Sequence, residues 1–244
     1  MRTRQPERPA FYALAPGGWR DLVTLLHPPY TAWHLSYVAI GAAAAPTMRA
    51  DRLAAALGAF FLAVGVCAHA LDELNGRPLR TQLSDRALVA LAAAGLGGAL
   101  AIGVAGVVTV SATLAPFVAV GGFIVVAYNL ELFGGRFHSD FWFAATWGAF
   151  PAFTGYWASA LQLRAPGVLV TGACFALSVA QRRLSTPARE LRRRTAAVRG
   201  EQRLADGRVV ELTVARLAEP LDGALSALSL AVVLLAGGLV ILRL

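Results

Sequence analysis

The most constraining feature of this sequence is a long stretch without charge. Residues 87–130, between Arg86 and Glu131, carry no Asp, Glu, Lys or Arg. A membrane-spanning helix needs about 20 apolar residues, so this stretch has room for two. Over the whole chain only 15% of residues are charged, 57% are hydrophobic and the mean hydropathy is +0.59. A soluble domain carries about a quarter charged residues. The sequence therefore predicts an all-α, polytopic membrane helical bundle.

Apolar runs and their interruptions predict about seven transmembrane helices. The spans are expected at 30–46, 53–74, two within 87–130 divided near 109–111, then 141–163, 165–180 and 223–242. Four regions follow: a cytoplasmic tail with an interfacial helix (1–29, the helix at 11–26), a six-helix membrane core (30–182), a basic cytoplasmic segment with a hairpin (183–220), and the seventh transmembrane helix (221–244). The hairpin is predicted around Asp206-Gly207, a dipeptide typical of tight turns.

The distribution of arginine predicts the orientation. The net charge is +8, from 22 basic residues that are all arginine against 14 acids. An inside N-terminus leaves only Arg49, Arg52, Arg164 and Arg243 outside, as the positive-inside rule requires. We therefore expect a multi-pass protein of the cell membrane with a cytoplasmic N-terminus. The basic charge is attributed to anionic lipid, and no nucleic acid partner is expected.

Ionisable groups cluster at the end of the second predicted span. His69, Asp72 and Glu73 stand at i, i+3 and i+4, so one helix face carries all three. Arg77 and Arg80 follow the helix-ending Asn-Gly pair at 75–76. Carboxylates beside arginines suit a phosphate bridged by a metal ion. A charged, solvated helix end is the alternative interpretation.

A second polar stretch is predicted at the same membrane face. Glu131 and Asp140 flank a double glycine, with Arg136 and His138 between the two acids. Mg²⁺ takes oxygen ligands and leaves positions for phosphate oxygens, so a Mg²⁺-bound diphosphate fits this inventory. The candidate metal ligands from the two stretches are Asp72, Glu73, Glu131, Asp140, His69 and His138. The apolar interior would hold the tail of an isoprenoid or other lipid substrate.

The order of these motifs resembles the UbiA-type intramembrane prenyltransferases. An apolar run, an acidic helix end and Asn75-Gly76-Arg77-Pro78-Leu79 are followed by Tyr128 with Glu131, and then by the segment 147–156. The resemblance covers roughly residues 27–160. It implies a cytoplasm-facing pocket that uses Mg²⁺ to handle a prenyl or polyprenyl diphosphate. By position, Asp72 and Glu73 would be catalytic metal ligands, Tyr128 catalytic, and Arg77, Arg80, Asn129 and Arg136 substrate-binding.

The chain departs from the family pattern at three points. The first motif has one pair of acids in place of three spaced acids, and seven spans replace the usual nine. At the position of the second acidic motif stands Gln181-Arg182-Arg183. We hypothesise that Arg182 or Arg183 folds over the mouth and contacts the phosphate of a lipid substrate, because guanidinium groups bind phosphate bidentately. The alternative is that these arginines lie on lipid headgroups.

Two other functions remain open from the sequence. His34, His69 and His138, with the neighbouring carboxylates, are candidates for an iron or zinc centre that oxidises or hydrolyses a lipid. The third possibility is a non-catalytic lipid-binding or assembly subunit, with the hairpin region docking a protein partner. A transferase resembling the prenyltransferases is the enzyme class that the motifs favour.

Overall fold

The chain folds mainly into helices. The computed structural model describes residue 10 and residues 12–244, and 74% of it is helical. The helices are α1 (Trp19–Leu25), α2 (Pro28–Ala43), α3 (Ala50–Phe60), α4 (His69–Leu74), α5 (Asp85–Thr109), α6 (Ala115–Asn129), α7 (Leu132–Gly135), α8 (Asp140–Ala144), α9 (Phe150–Ala160), α10 (Ala165–Arg193) and α11 (Val214–Arg243). The tail 1–9 and residue 11, the start of the predicted interfacial helix, lie outside the described residues.

Three shorter helical segments connect these elements. A π-helical segment, Phe61–Ala68, joins α3 to α4, and a second one, Ala145–Ala149, joins α8 to α9. A 3-10 turn, Ala112–Leu114, precedes α6. π-Helical turns widen the helix locally and are frequent at functional sites. Both π segments border the polar cluster described below.

Four helices are long and apolar enough to cross a membrane. They are Ala50–Leu74, Asp85–Thr109, Ala112–Asn129 and Val214–Ile241, with mean hydropathies between 1.7 and 2.5. This agrees with a helical membrane bundle, and the predicted turn at 109–111 is found where α5 ends. The other three predicted spans coincide with α2, with the continuous helix formed by α8 and α9, and with α10. Their number as spans stays a prediction.

The boundaries of the predicted basic segment fall inside helices. The division at residue 183 lies within α10, which continues through Pro187 to Arg193, and α11 already begins at Val214. Between the two helices, β1 (Glu201–Arg203) and β2 (Val209–Glu211) pair in antiparallel register with Gln202 opposite Val210. The turn between the strands has Gly207 at φ +86°, so the predicted hairpin is confirmed.

Close helix packing at the centre of the bundle depends on two glycines. A Cβ on Gly41 of α2 would lie 1.9 Å from the carbonyl oxygen of Ala152, and one on Gly155 of α9 would lie 2.1 Å from that of Val38. α2 and α9 therefore approach each other backbone to backbone. Small residues at helix crossings are typical of membrane bundles, because association there depends on packing.

The bundle has two chemically distinct ends. At one end Arg52 donates to the carbonyl of Ala158 and Arg243 to that of Ala43, and both belong to the few arginines predicted outside. At the opposite end lie the C-termini of α4, α6 and α10 and the N-terminus of α8. The polar stretches that the sequence predicts at one membrane face thus do share one face of the fold.

Candidate functional site

The loop 75–84 at this face is held by two buried carboxylates. Glu73 is fully buried, and its oxygens accept hydrogen bonds from the backbone N–H of Leu79 (2.8 Å) and from the backbone N–H (2.8 Å) and hydroxyl (2.9 Å) of Thr81. Asp21 of α1 accepts from the N–H of Gln82 at 2.9 Å. Both acids therefore shape the loop, and Glu73 has its two oxygens occupied by it.

A stack of rings lies beside this loop. The His27 ring centroid is 4.0 Å from that of Tyr12 and 5.1 Å from that of His69, and the edge of Tyr30 completes the enclosure at 4.2 Å. Burial here lowers the pKa of His27 well below its usual value, and the nearby His69 and Arg193 lower it further. His27 is therefore a neutral ring at physiological pH.

His34 occupies the next turn of α2, deeper in the bundle. Its Nδ1 contacts the carbonyl oxygen of Tyr30 at 2.5 Å, and aromatic rings, including that of Trp147, surround it at about 6 Å between centroids. Its Nε2 is buried and has no hydrogen-bond partner among the described residues. His34, the histidine inside the first predicted span, thus lies next to the ring stack, with its ring 6.3 Å from that of Tyr30.

Tyr128 forms the opposite wall of the site. His138 stacks on its ring at 4.5 Å and contacts its carbonyl oxygen through Nδ1 at 3.2 Å. The ring of Trp147 meets Tyr128 edge-on at 5.4 Å. The predicted catalytic tyrosine is buried, and it interacts electrostatically with Asp72, Arg182 and Arg189.

Three arginines of α10 form one row along this site. Arg182, Arg189 and Arg193 are spaced i, i+7 and i+11, which is one face of a helix. Arg182 pairs with Asp140 at 2.7 Å, and its guanidinium lies 5.2 Å from the ring centre of Phe143. Arg189 and Arg193 interact electrostatically with Asp72, which is half-buried at the end of α4. We call Arg182, Arg189 and Arg193 the arginine row.

Several predicted binding residues do not face the row. Arg77 donates to the carbonyls of Thr81 and Leu83 and pairs with Asp85, so it belongs to the loop. Arg80, Arg136 and Arg183 are exposed. Asn129 is buried. Its side-chain amide donates to the backbone carbonyl of Val125, and its backbone carbonyl accepts from the side chain of Asn75. These side chains support or surround the site and are not brought into it.

The predicted metal ligands do not form one cluster among the described residues. Asp140 is paired with Arg182, and the exposed Glu131 approaches only His138, at 3.9 Å. Asp72 and Asp140 thus both border the arginine row, and Asp140 is engaged there by Arg182. Within residue 10 and residues 12–244, no group of three or more His, Cys, Asp or Glu side chains could hold a metal. For Mg²⁺, as for iron or zinc, the ligand sets predicted from the sequence are not assembled.

An apolar cavity of about 400 Å³ lies within the bundle, next to the polar cluster. Residues of α3, α5, α6, α9 and the two π-helical segments line it, among them Ala63, Gly121 and Phe150. Trp147 belongs to the cavity wall and also touches His34 and Tyr128 of the polar cluster. Trp147 is thus shared by the polar cluster and the cavity, and from there the cavity lining extends to Asp51 and Arg52 near the opposite end of the bundle.

Four residues of the site were not predicted from the sequence. Asp21 and His27 come from the region read only as an interfacial helix and its end, and Arg189 and Arg193 were attributed to the membrane surface. The regular spacing of the three arginines on one helix face was the available signal. For His27 and Asp21 no local pattern indicates a role, because His69 and Gln82, which they contact at the site, lie in distant segments.

Comparison of this chain with models of protein families, with curated proteins and with solved structures gives no match. The resemblance to the UbiA-type prenyltransferases consequently remains an expectation from its motifs.

Proposed function

We propose that the chain is a multi-pass cell-membrane enzyme that handles a prenyl or polyprenyl diphosphate, in the manner of the UbiA-type prenyltransferases. The N-terminus and the charged mouth would face the cytoplasm. The observation that carries the proposal is Trp147, which touches the polar cluster on one side and lines the apolar cavity on the other. A ligand with a phosphate head and an isoprenoid tail matches both halves.

Different residues of the site would bind the head and the tail of the ligand. The arginine row would receive the phosphate oxygens, since guanidinium forks match them bidentately. The cavity would bury the first isoprene units, at about 25 cal/mol for each Å² of apolar area removed from water. Tyr128 and Trp147 would lie near the first carbon of the tail. Aromatic faces stabilise the positive charge that develops there when the C–O bond breaks and diphosphate leaves.

The test measures binding and consumption of farnesyl diphosphate by the purified chain in neutral detergent. We expect Gly121→Leu to weaken this binding about tenfold or more, because the new side chain enters the cavity toward Phe150, 3.4 Å from the position of a Cβ. Gly237→Leu is the matched control, since nothing lies within 4 Å of that position. Equal binding by both variants would contradict a tail in this cavity.

The fate of the ligand separates catalysis from binding. When membrane lipid extract is added as the source of an acceptor, release of diphosphate together with a new bond between the farnesyl group and an acceptor of that extract supports the transferase. Tight binding without release of diphosphate would instead support a lipid-binding subunit, the non-catalytic alternative. Failure to bind any prenyl diphosphate would overturn the proposed ligand class.

A further inference from the structure

We propose that the arginine row of α10 binds the phosphate groups of the ligand directly, without a metal ion between them. The inference deepens the proposed function by naming how the anionic group is recognised. It rests on that function for the prenyl tail only, because phosphate recognition by the row can be tested without a tail.

The arginine row lies on α10, which is distant in sequence from α4 and α6, the other helices that end at the site. Arg182 pairs with Asp140 and lies over the ring of Phe143, which contacts Tyr128 at the end of α6. Arg189 and Arg193, on the same face of α10, interact electrostatically with Asp72 at the end of α4. All three arginines are partly buried, whereas Arg183 on the same helix and Arg194, the residue that follows it, are exposed. The row therefore belongs to the site, and its two neighbours belong to the surface.

Arg189 is the member of the row whose charge no described carboxylate pairs with directly. Arg182 has Asp140, but Arg189 forms no ion pair with any carboxylate in the described part of the chain. Its charge is partly removed from water and lies near those of Arg182 and Arg193. Burial and these two charges lower the pKa of Arg189 from its usual value. An anion bound between the guanidinium groups would relieve this repulsion.

A divalent cation would have the opposite effect. A metal at Asp72 would lie within the field of Arg189 and Arg193, and like charges repel more strongly where water is partly excluded. The acids that could offset this repulsion are occupied, Glu73 by the loop and Asp140 by Arg182. The arginines thus supply the positive charge that metal ions would otherwise bring to a diphosphate.

Phosphate oxygens reach such a site from two sources, a prenyl diphosphate or the headgroup of an anionic phospholipid. The experiment uses inorganic pyrophosphate as the probe, with the full chain in neutral detergent, and measures binding in excess EDTA and in excess MgCl₂. We expect the two dissociation constants to agree within about twofold. Pyrophosphate binding that requires Mg²⁺ would overturn the inference.

Variants then locate the binding groups. Arg189→Gln and Arg193→Gln are each expected to weaken pyrophosphate binding by about tenfold, because each removes charge-assisted hydrogen bonds. Arg183→Gln on α10 and Arg194→Gln directly after it are the matched controls and should leave binding within about twofold. Equal losses from all four variants would indicate a diffuse attraction to the basic surface, and would overturn the inference that the arginine row binds phosphate directly. The thermal midpoint of each variant shows whether it folds, and Arg189→Lys, which retains a charge without the fork, should bind with intermediate strength.

Competition identifies the source of the phosphate. Nanodiscs of phosphatidylcholine with phosphatidic acid that displace pyrophosphate, where pure phosphatidylcholine does not, would support the row with a headgroup ligand. Displacement by farnesyl diphosphate alone would support the row with the prenyl ligand. If farnesyl diphosphate fails to bind while pyrophosphate binds without metal, the proposed function falls and the inference stands. If farnesyl diphosphate binds equally to wild type and Arg189→Gln, the inference falls.

Discussion

The ring of His27 stacks on the ring of His69, with 5.1 Å between their centroids and 23° between their planes. This contact joins the residue preceding α2 to the first residue of α4. Faces rather than ring nitrogens meet, so the pair closes the aromatic wall of the site instead of forming a metal centre. Two histidines stacked in this way do not repel each other when both are neutral. Protonation of both rings would place two positive charges in contact, so acid should destabilise this aromatic wall.

Acidification should destabilise the protein through His27. Burial lowers its folded-state pKa below the unfolded value of about 6.5. The unfolded chain therefore binds more protons as the pH falls below about 6.5, and the free energy of unfolding decreases. We expect the thermal midpoint in detergent to be lower at about pH 5.5 than at about pH 7.5. His27→Asn, which tolerates the positive φ at this position, should reduce that difference, and an unchanged difference would contradict the assignment.

Glu73 should be a structural residue. Glu73→Gln weakens three hydrogen bonds to the loop and turns an amide toward buried N–H groups of Leu79 and Thr81. We expect a loss of at least about 2 kcal/mol in the free energy of unfolding. Glu131→Gln is the control, and this exposed position should change stability by less than about 0.5 kcal/mol. Equal thermal midpoints for Glu73→Gln and the control would contradict a structural role for Glu73 and would favour a role in ligand binding.

The crossing of α2 and α9 should not tolerate an added methyl group. Gly41→Ala would bring the new Cβ to 1.9 Å from the carbonyl oxygen of Ala152 unless the helices separate. We expect a destabilisation of about 1–3 kcal/mol, measured by the thermal midpoint in detergent. Gly237→Ala on α11, with nothing within 4 Å, is the matched control and should be nearly neutral. Equal midpoints for the two variants would contradict the close approach.

The orientation can be tested by labelling single cysteines. Arg199→Cys, between α10 and the hairpin, should react with a membrane-impermeant maleimide only after the cells are opened, because the arginine-rich end is expected inside. Arg164→Cys, exposed at the other end of the bundle, should react in intact cells. Cys67 and Cys174 are buried and give little background. The reverse labelling pattern would overturn the cytoplasmic site.

The sequence alone was sufficient for features that depend on neighbouring residues. The charge-free stretch 87–130 predicts two apolar helices, and the structure has them on either side of a turn at 110–111. The Asp206-Gly207 pair predicts the hairpin, and the acidic helix end at Asp72 predicts where the polar face of the bundle begins. Hydropathy and turn propensity are properties of short segments, so they can be read without knowing the fold.

Only the tertiary structure decided which charged side chains share the site. Asp72 and Glu73 are adjacent in sequence, yet Glu73 turns to the loop 75–84 while Asp72 faces the arginine row. Arg182 and Arg183 are equally adjacent, and only Arg182 points inward. One residue along a helix is a rotation of about 100°, so the neighbour that a side chain meets depends on how distant helices pack. That packing, set here by contacts such as Gly41 against Ala152, cannot be read from any one segment.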